Sequence, residues 1–226
     1  MIILGVETSG ATGSIALQHG GRCLEERFLP ELGRRHAQSL VPEVVALLAR
    51  HDLSPMQLDA VAVSVGPGSF TGLRIGVTFA KTLAYAAGAD LAAVETFEAI
   101  AANTPAAPSV AVVADAQRKG LVLGRYDRAV SGRFVRREPP RLIAVDQLPA
   151  EMKGIALLNG PAIDRIESPG ELPLEIAAVP LRFPRASAVA RLGEGQLDRG
   201  ESAEPWTLEP LYVRKSAAEE KVEVRR

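Results

Sequence analysis

Cysteine is almost missing from this chain, with Cys23 alone among 226 residues. That excludes an internal disulfide and any zinc site built on several thiolates, and it fits a reducing compartment. Histidine is nearly as scarce. His19, His36 and His51 include no His-x-x-x-His pair and no neighbouring acid at ligand spacing, so each reads as a surface or capping residue and a metallopeptidase has no ligands. Aromatics make up 4%, and the basic cluster Arg133, Arg136, Arg137 and Arg141 holds a single one, Phe134, too few for the stacking platform that a run of bases would require. An excess of one charge is lacking too: 26 Lys+Arg against 27 Asp+Glu leave −1, so no global field draws the chain to nucleic acid or to a lipid surface. No apolar run nears the roughly 20 residues of a membrane span. The apolar start at residues 1–6 follows no basic segment and ends at Glu7, unlike a signal peptide. A cytoplasmic, membrane-free globular protein is expected, long enough for one large domain or two small ones.

What is present centres on residues 60–87, AVAVSVGPGSFTGLRIGVTFAKTLAYAA. A β-branched strand runs into Gly66-Pro67-Gly68, and a long helix leaves from Ser69, with Ser69 and Thr71 as candidate caps. Gly72, Gly76, Ala80 and Ala84 recur every fourth residue and form a smooth stripe along the helix, while Phe70, Leu73, Val77 and Leu83 supply ordinary core. Three readings stay open: a phosphate cradle at the helix N-terminus, a helix–helix interface on the stripe, or close packing of the helix on its own sheet. From the helix alone the last is favoured. A P-loop would need Gly at Thr71 followed by Lys-Ser/Thr, and a nucleophile elbow would need Gly at Pro67 and Thr71.

The rest of the first hundred residues frames this unit. Strands are expected at 2–6, 14–18 and 23–29, then a helix over 34–50 with Pro42 inside its pattern, a short turn at Ser54-Pro55, and a strand at 90–94 after a helix stop at Gly88. The order β-β-β-α-β-α-β is that of a ribonuclease-H-like half-domain. Around 101–108 the composition turns to small residues and proline, which sets the expected division: 1–100 as an N-terminal subdomain, 101–226 as a smaller, degenerate second one. The second part reopens the theme, VVADAQRKGLVLG echoing GVETSGATGSIAL, as in a worn internal duplication. It continues with a strand at 134–143, a helical turn from Asp146, a strand at 154–158, a helix near 186–197 and a charged tail from Ala217. Each half ends its first strand on an acid, and an α/β fold of the actin-like ATPase type places two such acids across a nucleotide cleft. Glu7, Thr8, Ser9 and Asp115 are therefore the candidate phosphate–metal site, weighed against Asp115 as a turn cap and Glu7 as a leftover strand-end acid.

Taken together, residues 3–9 (ILGVETS), 66–76 (GPGSFTGLRIG), Asp115-Ala116 and 209–214 (EPLYVR) resemble the TsaB (YeaZ) family, bacterial partners in making N6-threonylcarbamoyladenosine in tRNA. The resemblance implies an actin-like (ASKHA) duplicated fold in two subdomains. It implies a subunit without catalysis of its own, paired as a heterodimer with the homologous TsaD, which carries the His-x-x-x-His metal site. It also implies help in recruiting the ATPase TsaE and tRNA to the complex, and a homodimer through the same helices when the partner is absent. The pairing helices correspond to 34–50 and 69–87, which makes Leu40, Val44, Leu47, Ser69, Gly72, Arg74, Gly76 and Ala80 the expected interface. No cofactor is required on this reading, with ATP or ADP and Mg2+ at Glu7, Thr8, Ser9 and Asp115 as a vestigial phosphate site. Rivals are a small-molecule kinase of the same fold and the M22-like peptidase label used in this superfamily.

Overall fold

Strand alternation decides the architecture of the first half, because successive side chains leave a strand on opposite faces. The structure, a computed structural model, describes residues 1–30, 36–104, 107–116 and 120–213. Strands β1 (Ile2–Glu7), β2 (Ser14–His19) and β3 (Arg22–Phe28) form an antiparallel meander, and α1 (His36–Arg50) crosses to β4 (Ala60–Gly66). Helix α2 (Phe70–Ala87) then crosses to β5 (Asp90–Glu95), followed by the short α3 (Thr96–Ala101). The sheet order is β3-β2-β1-β4-β5, with β4 parallel to both β1 and β5. Leu4, Val6, Ile15, Leu17, Val61 and Val63 face α1 and α2, which bury Leu40, Val44, Leu47 and Leu48 and Val77, Ala80 and Ala84 against them. Ser69 caps α2, its Oγ accepting from Gly72 N at 3.3 Å, and Gly88 ends it in the left-handed region at φ 65°. Pro42 lies inside α1 on its exposed side, where its missing N–H costs the helix one backbone bond away from the core.

The second sheet repeats the plan. Its strands are β6 (Ser109–Asp115), β7 (Gly120–Arg128), β8 (Phe134–Arg136), β9 (Arg141–Ala144), β10 (Leu157–Asn159) and β11 (Glu175–Ile176). The order is β11-β10-β6-β7-β8 with β9 also on β7, the first sheet read from its other end, with antiparallel and parallel pairs in the same places. The single strand expected at 134–143 is two, because Pro139 and Pro140 have no N–H to continue the ladder. The crossover helices have shrunk to α4 (Leu148–Glu151) and short 3-10 turns, so this half is a reduced copy.

The expected division at residue 100 needs correction. The first compact unit is Met1–Ala99 with Pro184–Pro210, and the second is Ile100–Phe183 with residues 211–213. The reason is α5 (Ala186–Leu197), whose Ala188, Val189 and Ala190 cover Ile3, Ala60, Ala62, Ala92 and Val94 on the face of the first sheet opposite α1 and α2. Gly193 makes the approach close enough: a Cβ there would lie 2.5 Å from the Ala62 Cβ. Residues 117–119, Arg34 and the tail from Ala217, all named above, lie outside the described residues. Among the described residues no helix is long and apolar enough to cross a membrane.

Candidate functional site

Glu7 ends β1 on the α5 face of the sheet, in register with Ser14 of β2 and next to Ser64 of β4. Its carboxyl is fully buried. One oxygen, Oε1, accepts from Ser9 N and Ser9 Oγ at 2.5 Å each and from Gly10 N at 3.3 Å, closing the turn that follows the strand. The other, Oε2, is sealed from solvent without a hydrogen bond, as is Ser64 Oγ on the neighbouring strand. Burial pushes the Glu7 pKa above the ordinary range. The Ser64 hydroxyl, though outside hydrogen-bond geometry, pulls it back in part, as do Ser9 and Gly10. Thr8 points the other way, toward α2, donating from Oγ1 to Gly72 O at 2.8 Å. Ser9 O accepts from Ser69 N at 2.7 Å. Residues 7–9 therefore fasten the end of β1 to the start of α2. A carboxyl with no exposed surface, its turn-facing oxygen already taken by three donors, does not fit a hydrated cation, so the metal–phosphate role expected for Glu7, Thr8 and Ser9 is not what this geometry provides.

The small-residue stripe answers to the same turn. A Cβ on Gly72 would stand 2.0 Å from Thr8 O, and one on Gly76 would stand 2.2 Å from Thr8 Oγ1. Close packing within the subunit explains both glycines, and the expectation that Gly72, Gly76 and Ala80 meet a partner is corrected: all three are buried in their own chain. Leu40, Val44 and Leu47 are corrected likewise, since they fill the core beneath α1. Ser69 and Arg74 do face outward, Arg74 lying over the Phe70 ring at 4.0 Å. They share the outer side of α2 with Thr71, Thr78, Thr82 and Tyr85, while α1 turns Val41, Pro42, Val45, Ala46 and Ala49 outward. Val41 is 52% and Val45 56% exposed, which leaves an apolar, charge-poor surface on the pair of helices.

Asp115 is in the second unit, exposed at the end of β6, and its Oδ1 accepts a very short bond from Arg165 Nη1 in the 3-10 turn Ile163–Arg165. A cation from the chain itself thus occupies the acid that the duplication places opposite to Glu7 in sequence. On β10, opposite Val112 of β6, the buried Asn159 donates from Nδ2 to Ile100 O and Leu181 O, at 3.3 and 3.2 Å, and accepts at Oδ1 from Gly160 N at 2.7 Å. The basic cluster is laced with acids: Arg137 grips Asp127 at 2.6 and 2.7 Å, and Arg141 reaches Glu151 at 2.6 Å and Glu138 at 3.3 Å. Among the described residues no three His, Cys, Asp or Glu side chains gather as metal ligands would. Sequence reasoning missed Ser64 and Arg165. Ser64 had a signal, since it interrupts an Ala–Val alternation at the rung beside Glu7; Arg165 had none, because its partner is 50 residues away.

Comparison with known proteins follows the same lines. The family described as "TsaD: tRNA N6-adenosine threonylcarbamoyltransferase" matches residues 28–195. The chain is 37% identical over 127 residues to the tRNA threonylcarbamoyladenosine biosynthesis protein TsaB of Bacillus subtilis, covering 56% of this chain and 55% of that protein. It is 32% identical over 199 residues to the tRNA N6-adenosine threonylcarbamoyltransferase of Thermomicrobium roseum, covering 75% and 54%. This chain thus spans little more than half the length of the curated relatives it matches. The solved structure of YeaZ from Pseudomonas aeruginosa superposes at a TM-score of 0.80 with 26% identity, over 93% of this chain and 99% of that one. The chain belongs to this family, on its TsaB/YeaZ side, and has its actin-like, ribonuclease-H-like duplicated fold.

Proposed function

We propose that this chain is a non-catalytic subunit in the making of N6-threonylcarbamoyladenosine in tRNA. It docks on the homologous transferase chain through the outer faces of α1 and α2, and with it forms the surface that receives the ATPase TsaE and tRNA. The observation that carries this reading is the exposed apolar surface of Val41 and Val45 beside the threonine-rich side of α2, on helices whose inner sides are fully used by their own core. Two helices of 15 and 18 residues, about 22 and 27 Å long, are enough for a four-helix contact with a partner of the same fold. The acids speak for the same division of labour, since Glu7 holds a turn and Asp115 holds Arg165. The phosphate site is vestigial on this view, and no cofactor belongs to the chain itself. Docking raises activity only if the chain binds the competent state of its partner more tightly than the idle one.

The test is threonylcarbamoyl transfer onto tRNA by the homologous transferase with TsaE and ATP, with and without this chain. Transfer is expected to require the chain, to survive Glu7→Gln with Asp115→Ala, and to be lost with Val45→Glu, which sets an unpaired charge in the contact and weakens pairing about a hundredfold. Transfer that ignores the chain, or that needs the two acids but tolerates Val45→Glu, would favour the ATP-using reading instead.

A further inference from the structure

The outer side of α2 ends on Tyr85, and there another part of the chain continues it. Segment 201–210 returns to the α1/α2 side of the first sheet: Ala203 N donates to Leu91 O at 2.7 Å, Lys81 Nζ donates to Leu208 O at 2.9 Å, and Ala203 and Leu208 join the core under α1 and α2. Between these anchors Thr207 N and Leu208 N both donate to Glu204 O, at 3.2 and 3.0 Å, in a tight turn that stands Trp206 outward. Its indole is 74% exposed and meets Tyr85, itself 65% exposed, edge to face at 5.1 Å and 65°. The turn is held by its backbone and by Ala203 and Leu208, so the fold does not need the indole there. A single tryptophan on a fixed turn, at the rim of an apolar helix face, has the composition and rigidity of an interface anchor.

We propose that Trp206, with Tyr85, anchors the docking face, the partner chain reaching past α2 to close an apolar pocket over the indole and to offer an acceptor to its N–H. This rests on the reading that α1 and α2 dock the homologous transferase chain. A different chain suits the face better than a second copy does. Residues 70–87 carry Arg74 and Lys81 and no acid, so α2 against its own copy opposes like charges, whereas a heterologous helix can place an acid there.

Because the chain has one tryptophan, labelling with 5-fluorotryptophan gives one 19F resonance, that of Trp206. The resonance should move when the homologous transferase is titrated in, and Trp206→Ala should weaken pairing about thirtyfold by calorimetry, with Trp206→Phe in between and thermal unfolding unchanged. If Val45→Glu abolishes pairing while the resonance stays in place and Trp206→Ala pairs normally, the anchor falls and the docking reading stands. If neither variant affects pairing, both fall. A resonance that moves with the concentration of the chain alone would put a second copy on the face and overturn the choice of occupant.

Discussion

Replacing Glu7 with glutamine should stabilise the protein at neutral and alkaline pH and flatten its pH profile. Burial raises the folded pKa of Glu7 above the ordinary 4.5, and no charged side chain contributes to the shift. The folded chain therefore keeps this proton to higher pH than the unfolded chain does. Stability from Glu7 is complete below about 4.5 and is lost as pH climbs through the folded value, at up to about 1.4 kcal/mol per pH unit. For a chain of this size that slope corresponds to roughly 3–5 °C of melting temperature per unit. Glutamine keeps the geometry: its Oε1 can still accept from Ser9 N, Ser9 Oγ and Gly10 N, and its amide can donate to the otherwise unpaired Ser64 Oγ. Other carboxylates act in a separate window. Asp127, Glu138 and Glu151 are held below their ordinary values by hydrogen bonds from Arg137, Arg125 and Arg141 respectively, so their contributions are lost only as pH falls below about 4. Urea denaturation of both proteins from pH 5 to 8 gives the comparison. The wild type should lose stability with rising pH while Glu7→Gln stays level; two parallel curves would mean that Glu7 is ionised in the fold, and the argument from its orphaned oxygen would be wrong.

The seat of α2 makes a second test. Gly76→Ala should cost about 1–3 kcal/mol through the clash with Thr8 Oγ1, and adding Thr8→Ala should recover most of it, because what remains of residue 8 is then 3.4 Å away. Gly72→Ala should not be rescued by the same change, since its Cβ meets the Thr8 backbone oxygen; equal rescue in the two cycles of urea unfolding would refute the assigned contacts. In the second unit, Asn159→Ala removes the amide from the Leu181 carbonyl and the Gly160 N–H, while the Ile100 carbonyl keeps its bond from Asn103 N, with an expected loss of about 2 kcal/mol by the same assay. Arg165→Ala, at an exposed ion pair, should change stability by less than about 1 kcal/mol.

The order of strands was legible because each one carries its own apolar run, and the duplication because two hairpins repeat the same transition from apolar strand to acid. What escaped were facts of distance rather than pattern. Six residues of α3 are too few for a helical period to show, and the return of α5 to the first sheet is written in alanines and a glycine that would suit any close contact. The acids of the candidate site were found by position, yet position does not say which way a side chain points. Glu7 looked like a ligand at a strand end; three donors of the turn that follows hold it inward.

Helix α2 makes the general point. Every fourth residue small says that something comes close, without saying what, and a homologous partner in view made the partner the obvious choice. In the fold it is the Thr8 turn that comes close, and the side left over for another protein is the one with larger residues. The two sides have separable consequences. A bulky residue at Gly76 would abolish pairing by unseating the helix from its own sheet, so its failure to pair would say nothing about an interface. Changes at Val45 or Trp206 leave the core beneath untouched, and loss of pairing there can only be read as loss of contact.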